Sequence, residues 1–257
     1  VGDNAGSTVG TITNSIFTNN SASSDGLANG GAIKLEFASA ATIKDCTFED
    51  NWATVSGGAI DLQANTGMNP EATIVNSTFK NNKAQAGAAI ASLNNVGEGT
   101  LTIINSTFEN NIAAIAGGAV YSDKSSKTTI SNSEFMGNEA QLGGAVYALK
   151  DLTVNENTIF NDNTAELGGA IYVAAKYDDA NLVVKDATFT NNFVTDGGAA
   201  IAIKGDGKVA TYDISDSTFD KNTMNDVNNP AGAGGAIYAV GDNAGSTVGT
   251  ITNSIFT

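Results

Sequence analysis

A register of phenylalanines limits this chain to very few architectures. Phe17, Phe48, Phe79, Phe108, Phe135, Phe160, Phe189, Phe219 and Phe256 recur at spacings of 31, 31, 29, 27, 25, 29, 30 and 37 residues. Nine of the eleven Phe lie in this register, so it is the frame of an internal repeat. Three residues after each of the first eight stands Asn: Asn20, Asn51, Asn82, Asn111, Asn138, Asn163, Asn192 and Asn222. Three residues before each Phe stands Asn or Asp, from Asn14 and Asp45 to Asp186, Asp216 and Asn253. The residue two before Phe is always small, mostly Ser, with Cys46 in the second unit. Ile or Val stands five before Phe in eight of nine units; the sixth slips by one, to Val154. Each unit then runs into Gly-Gly-Ala-Ile/Val or a close variant, as at Gly30–Ile33 and Gly117–Val120.

The apolar pieces are two to five residues long, alternate at period two and are punctuated by Asn and Gly. No stretch sustains a helical period. Leucine-rich repeats need a Leu/Asn frame that is missing, ankyrin and tetratricopeptide units need helices, and propeller blades need longer units. A parallel β-helix fits: an all-β solenoid of about eight coils with three short strands per coil, stacked at roughly 4.8 Å. Equivalent residues then lie over one another. The Phe column fills the interior in offset stacks, and the small residue two before it makes room. Asn at turns forms a side-chain ladder and tolerates left-handed backbone. The Gly pair supplies a positive-φ bend or close backbone packing. Length variation falls in two places, and the first loop is long only at Ser23–Asn29 and Asn225–Ala233.

Residues 1–18 recur unchanged at 240–257, an offset of 239 residues or eight coils. Neighbouring coils match only at ladder positions, so there are two levels of repetition: an old, diverged coil and a recent eight-coil module. The reading is a single β-helix over 1–257, with 1–239 one module and 240–257 the start of the next. The alternative is an engineered overlap. Solenoid ends are exposed sheet edges unless capped. Tandem continuation, or head-to-tail stacking of separate chains, covers them and makes a fibre. The partner is then the chain itself, and the two long loops meet once per module. The chain starts at Val1 without a signal-like segment, so it reads as an excerpt whose export signal lies outside it.

Composition narrows the functions. The chain has 12 Lys, no Arg, no His and a net charge of −15. That opposes binding to nucleic acid and adhesion to anionic lipid. Without His, the usual neutral-pH base and metal ligand is missing; without Arg, bidentate clamps on phosphate are missing. One cysteine, Cys46, forms neither an internal disulfide nor a thiolate zinc site, and it reads as a buried packing residue. No apolar run is long enough to span a membrane.

The pairing of GGA[ILV] with FxxN resembles the repeat of the chlamydial polymorphic outer-membrane proteins. The wider unit, with NSTFKNN at Asn76–Asn82, NSTFENN at Asn105–Asn111, GGAVY at Gly117–Tyr121 and Gly143–Tyr147, and GGAIY at Gly168–Tyr172 and Gly234–Tyr238, is similar to the adhesin-like surface proteins of methanogenic archaea. The resemblance spans the chain. It implies a right-handed parallel β-helix, secretion, and surface display or adhesion, with surface glycans or other cells as partners. Two units depart from the pattern: Gly87–Ile90 loses its second Gly, and Gly197–Ile201 carries an extra residue.

Many parallel β-helices cleave polysaccharides, so catalysis is a reading to set beside the structural one. Such sites use Arg or Lys with carboxylate-held calcium, or Asp with His, Arg and Lys. The adjacent pair Asp178-Asp179 reads instead as a solvated loop. The expectation is no enzyme and no resident cofactor, with a carbohydrate-binding or polysaccharide-cleaving β-helix as the alternative. Calcium is left open. Asp186 and Asp216 share a column in adjacent coils, and like charges about 4.8 Å apart need solvent, a proton or a bridging cation. Interrupted Thr columns argue against ice binding. Tyr121, Tyr147, Tyr172 and Tyr238 read as strand residues, although aromatics also stack on sugars. Asn19, Asn76 and Asn105 match the glycosylation sequon; the last two sit in the turn column, so Asn19 is the candidate.

Overall fold

A computed structural model describes residues 8–23, 28–36, 39–64, 70–94, 99–225, 234–242 and 244–257. Most of the two long loops, 24–27 and 226–233, lies outside them. The coil around Phe108 shows the plan. Its strands are Gly99–Ile104, Thr107–Glu109, Ile112–Ala116 and Val120–Ser122. Each pairs in parallel with the matching strand of the coils before and after, except that Ile112–Ala116 meets the next coil only through isolated bridges. Four sheets result, named 1 to 4 in that order; coils are numbered by their register Phe. Sheets 1 and 2 are nine-stranded and sheet 4 is eight-stranded, so seven turns separate the first and last strands of sheet 4. Sheet 3 falls into a four-stranded and a three-stranded part. The repeat thus has a fourth strand beyond the three expected. The residues after the ladder Asn, read as loop from sequence, pair between coils as strands except at coil 5, which contributes only isolated bridges.

Left-handed corners set these short strands. Asn105 (φ 49°) and Asn110 (φ 53°) bracket the three-residue Phe strand, and Gly117 (φ 61°) turns the chain into sheet 4. The first two recur as columns, three before and two after Phe. Asn and Asp tolerate this region because their short side chains bond locally. The slip in the sixth unit is absorbed at one of these corners: Glu156 and Asn157 are both left-handed there, so Val154 stays paired with Ile130.

Inside, Phe48 through Phe189 are fully buried. Successive register rings lie 4.6–4.9 Å apart and within 13° of parallel along the whole column. The Ile/Val column packs against them, with Ile43, Ile74 and Ile103 buried beside Ile60 and Ile90 of sheet 4. Parallel sheets want apolar cover; here each sheet covers the inner face of the others.

Candidate functional surfaces

The ladder Asn and the left-handed turns, joined in one role at the sequence level, occupy separate columns. The Asn three after Phe is buried and uses every polar atom. Asn111 donates from Nδ2 to Phe79 O and to Asn138 Oδ1, both at 3.0 Å. Its Oδ1 accepts the backbone N–H of Asn82 at 3.0 Å and Asn82 Nδ2 at 2.9 Å. The same scheme runs from Asn51 to Asn192. A second ladder runs beside it. The Ser two before Phe does more than make room, because its hydroxyl accepts a backbone N–H from the preceding coil. Ser77 N–H reaches Ser106 Oγ at 3.1 Å, and Ser106 N–H reaches Ser133 Oγ at 3.1 Å. The recurrence of Ser, where Ala is equally small, was the available signal. Cys46 stands in this column, buried, with its thiol at 3.2 Å from Lys44 O.

The Gly pair divides its work. The first Gly is left-handed throughout. The second lies so close to the next coil that a Cβ on Gly118 would stand 2.0 Å from Gly144 O. The unit at Gly197–Ile201 needs correcting: Gly198 is the left-handed residue (φ 64°), so Gly198–Ile201 repeats the Gly87–Ile90 variant and Gly197 ends the preceding strand.

Among the chemistry candidates, Asp186 and Asp216 are both exposed at left-handed corners of adjacent coils. Among the described residues no group of three or more Asp, Glu or Cys is placed to hold a metal. Asp178 pairs with Lys150 at 3.6 Å, and Asp179 Oδ1 accepts the Val209 N–H at 2.9 Å, so that pair braces loops. Asn19 is exposed. Asn76 and Asn105 are exposed too, with Asn105 Nδ2 donating to Asn76 Oδ1 at 2.5 Å. No helix of the described residues is long and apolar enough to cross a membrane.

A family model described as a right handed beta helix region matches residues 3–117 and 97–219. The chain belongs to the right-handed β-helix family. A second model, the Chlamydia polymorphic membrane protein repeat, matches residues 216–240 of this β-helix, from the eighth register Phe into the last strand of sheet 4. No curated protein and no solved structure matches it.

Two outer features of this β-helix bear on binding. Tyr121, Tyr147 and Tyr172 lie in register on the outside of sheet 4; the first two rings stack 5.3 Å apart, and Tyr172 is tilted by 50° against Tyr147 at 5.4 Å. Their bodies are sunk beside Ala116 and Leu142, and burial pushes the Tyr172 hydroxyl up to about 12. Ring faces engaged with one another are poor platforms for a sugar. On sheet 3, coil 5 contributes only isolated bridges at Glu139 and Leu142. A groove of about 450 Å³ opens there, lined by Ile112, Glu139, Gln141, Thr164, Glu166 and Thr195 among others.

Proposed function

We propose that this chain is a structural, non-catalytic repeat module of an extracellular tandem-repeat fibre or adhesin-like cell-surface protein, growing by coil-on-coil stacking. One observation carries the reading. The residues repeated after 239 positions occupy the same columns in both copies: Ile12 pairs with Ile43 and Phe17 with Phe48, while Ile251 pairs with Ile214 and Phe256 with Phe219. The long repeat is therefore in phase with the coil, and modules joined in this way share one uninterrupted stack. Extracellular display is supported by the likeness of residues 216–240 to a polymorphic membrane protein repeat. The acidic surface keeps such a fibre soluble and resists bundling.

The test is length against module number. Chains of one, two and three modules, measured by small-angle scattering and negative-stain microscopy, gain about 38 Å per module at constant width, from a rise near 4.8 Å per coil. Modules that fold as beads with flexible joints, or that add width, overturn the reading. The groove at Glu139 and Glu166 favours the carbohydrate-binding alternative. A glycan array with wild type and the Glu139→Gln/Glu166→Gln variant decides it: binding lost in the variant favours that alternative.

A further inference from the structure

On the outside of the corner between sheets 3 and 4, two columns run from coil to coil. In coils 3 to 5 they hold hydrocarbon: Ala86 with Ala91, Ala116 with Tyr121, Leu142 with Tyr147. In coils 1 and 2 the same columns hold Asn29 with Lys34 and Ser56 with Asp61. The coil 2 pair is buried: Asp61 is 0 % exposed and Ser56 1 %. Ser56 Oγ donates to Asp61 Oδ2 at 2.7 Å. Asp61 Oδ1 and Asn29 Oδ1 are both buried and have no hydrogen-bond partner among the described residues. Lys34 lies in register with Asp61, but its ammonium is engaged by Glu36 at 2.5 Å. Lys34, Glu36 and Asp61 together carry one net negative charge.

Buried oxygen acceptors that have lost water and gained no donor are costly, and each one in a folded protein calls for an occupant. Here two acceptors and one net negative charge occupy a corner that coils 3 to 5 fill with Ala, Leu and Tyr side chains. A hard, oxygen-seeking cation satisfies all of these at once. We propose that Asp61 Oδ1 and Asn29 Oδ1 ligate a cation of the calcium class between coils 1 and 2. The site is distinct from the exposed Asp186/Asp216 column. One carboxylate and one amide oxygen place its affinity at the weak end, about 10⁻⁴–10⁻³ M.

The experiment is thermal unfolding and titration calorimetry of the whole chain, with calcium chloride at 10 mM against EDTA, roughly ten-fold or more above that affinity. Sodium at matched ionic strength is the control. Calcium raises the wild-type melting temperature by about 5 °C and gives a heat of binding. Asp61→Asn, which keeps shape and an acceptor for Ser56, loses both effects. Asn29→Ala, which serves if Asp61→Asn does not fold, weakens binding about ten-fold. Asp186→Asn/Asp216→Asn leaves both effects intact. No calcium effect on wild type overturns the proposal, as does an effect abolished only by Asp186→Asn/Asp216→Asn. A wild-type melting temperature that ignores calcium but rises as pH falls through 6 assigns the corner to a proton, and the cation is then withdrawn.

Discussion

Asn111→Ala tests whether the side-chain ladder or the Phe stack holds adjacent coils together. The substitution removes the one acceptor shared by Asn82 N–H and Asn82 Nδ2, and both donors are left in a fully buried strand corner. Each orphaned buried donor costs about 1–3 kcal/mol. Phe79 O loses its amide donor, while Asn138 Oδ1 keeps the backbone N–H of residue 111. The sum is about 4 kcal/mol, a large share of the stability of most domains. Asn20→Ala is the control. It deletes a single side-chain bond, to Asn51 Oδ1, which still accepts the N–H of residue 20, so about 1 kcal/mol is expected. Urea unfolding reads the global effect. Amide hydrogen exchange reads the local one, because solenoid stability is a sum over neighbouring coils. The Asn82 amide should exchange about 100-fold faster in Asn111→Ala, and amides two coils away should be little changed. If the two variants lie within about 0.5 kcal/mol of each other, the limit of ordinary context effects, the ladder only marks the fold and does not sustain it.

Three further substitutions probe the other columns. Phe108→Ala removes a fully buried ring stacked at 4.8 Å on Phe79 and 4.6 Å on Phe135 and should cost about 3–5 kcal/mol by urea denaturation; a loss near 1 kcal/mol would mean the interior is loosely packed. Gly118→Ala drives a Cβ to 2.0 Å from Gly144 O, which the coils can relieve only by a backbone shift of the kind that admits Ala88 and Ala199 in this column, whereas Gly235→Ala meets nothing within 4 Å, so the first should lower the melting temperature and the second should leave it in place. Equal effects would discredit the close-approach argument. Ala187→Ser restores the hydroxyl column and offers the Thr158 N–H the acceptor used at Ser77 and Ser106, a gain of about 1 kcal/mol; a destabilised variant would show that coil 6, with its extra corner residue, has left that register.

How much was legible follows from what repeats. The Phe, Ile/Val and Gly columns were readable because identical residues at matching offsets must stack in a solenoid, and the structure pairs Phe79 with Phe108 and Ile74 with Ile103. Strand number was not readable. Segments such as Ile112–Ala116 and Lys83–Ala86 carry no shared residue pattern beyond small inward Ala, and they pair through a shift of register between Ala84 and Ala86. The division of labour among the Asn was hidden for a related reason: Asn110 and Asn111 are chemically identical neighbours, yet one turns the chain with φ 53° and the other is buried as a ladder rung. Only the alternation of the first with Asp, Gly and Lys, at Asp50, Gly137 and Lys221, betrays that the corner needs a backbone conformation while the rung needs an amide. The Asp61 corner departs from the repeat altogether, so it showed no signal until burial and hydrogen bonding were known.

Coil lengths of 25 to 37 residues produce the same 4.6–4.9 Å step between rings. The rise is therefore set by backbone pairing between coils and not by the amount of chain in a coil. Extra residues leave through loops and corners, as Glu156 does beside Asn157, without disturbing the Phe stack above or below. This separates two demands that compete in most folds. Stiffness is carried by columns whose residues scarcely vary along the chain, while the groove at Glu139, the polar corner at Asp61 and the Tyr row sit where coils differ. A loop can thus gain or lose a ligand without altering the pitch, provided the left-handed corner and its Asn rung remain. A two-residue Gly-Ser insertion after Asp178 should accordingly leave the scattering-derived length and the Phe column intact, whereas the same insertion between Phe108 and Asn111 should break the stack at that coil. Equal disruption by both insertions would mean that chain length, and not backbone pairing, sets the rise.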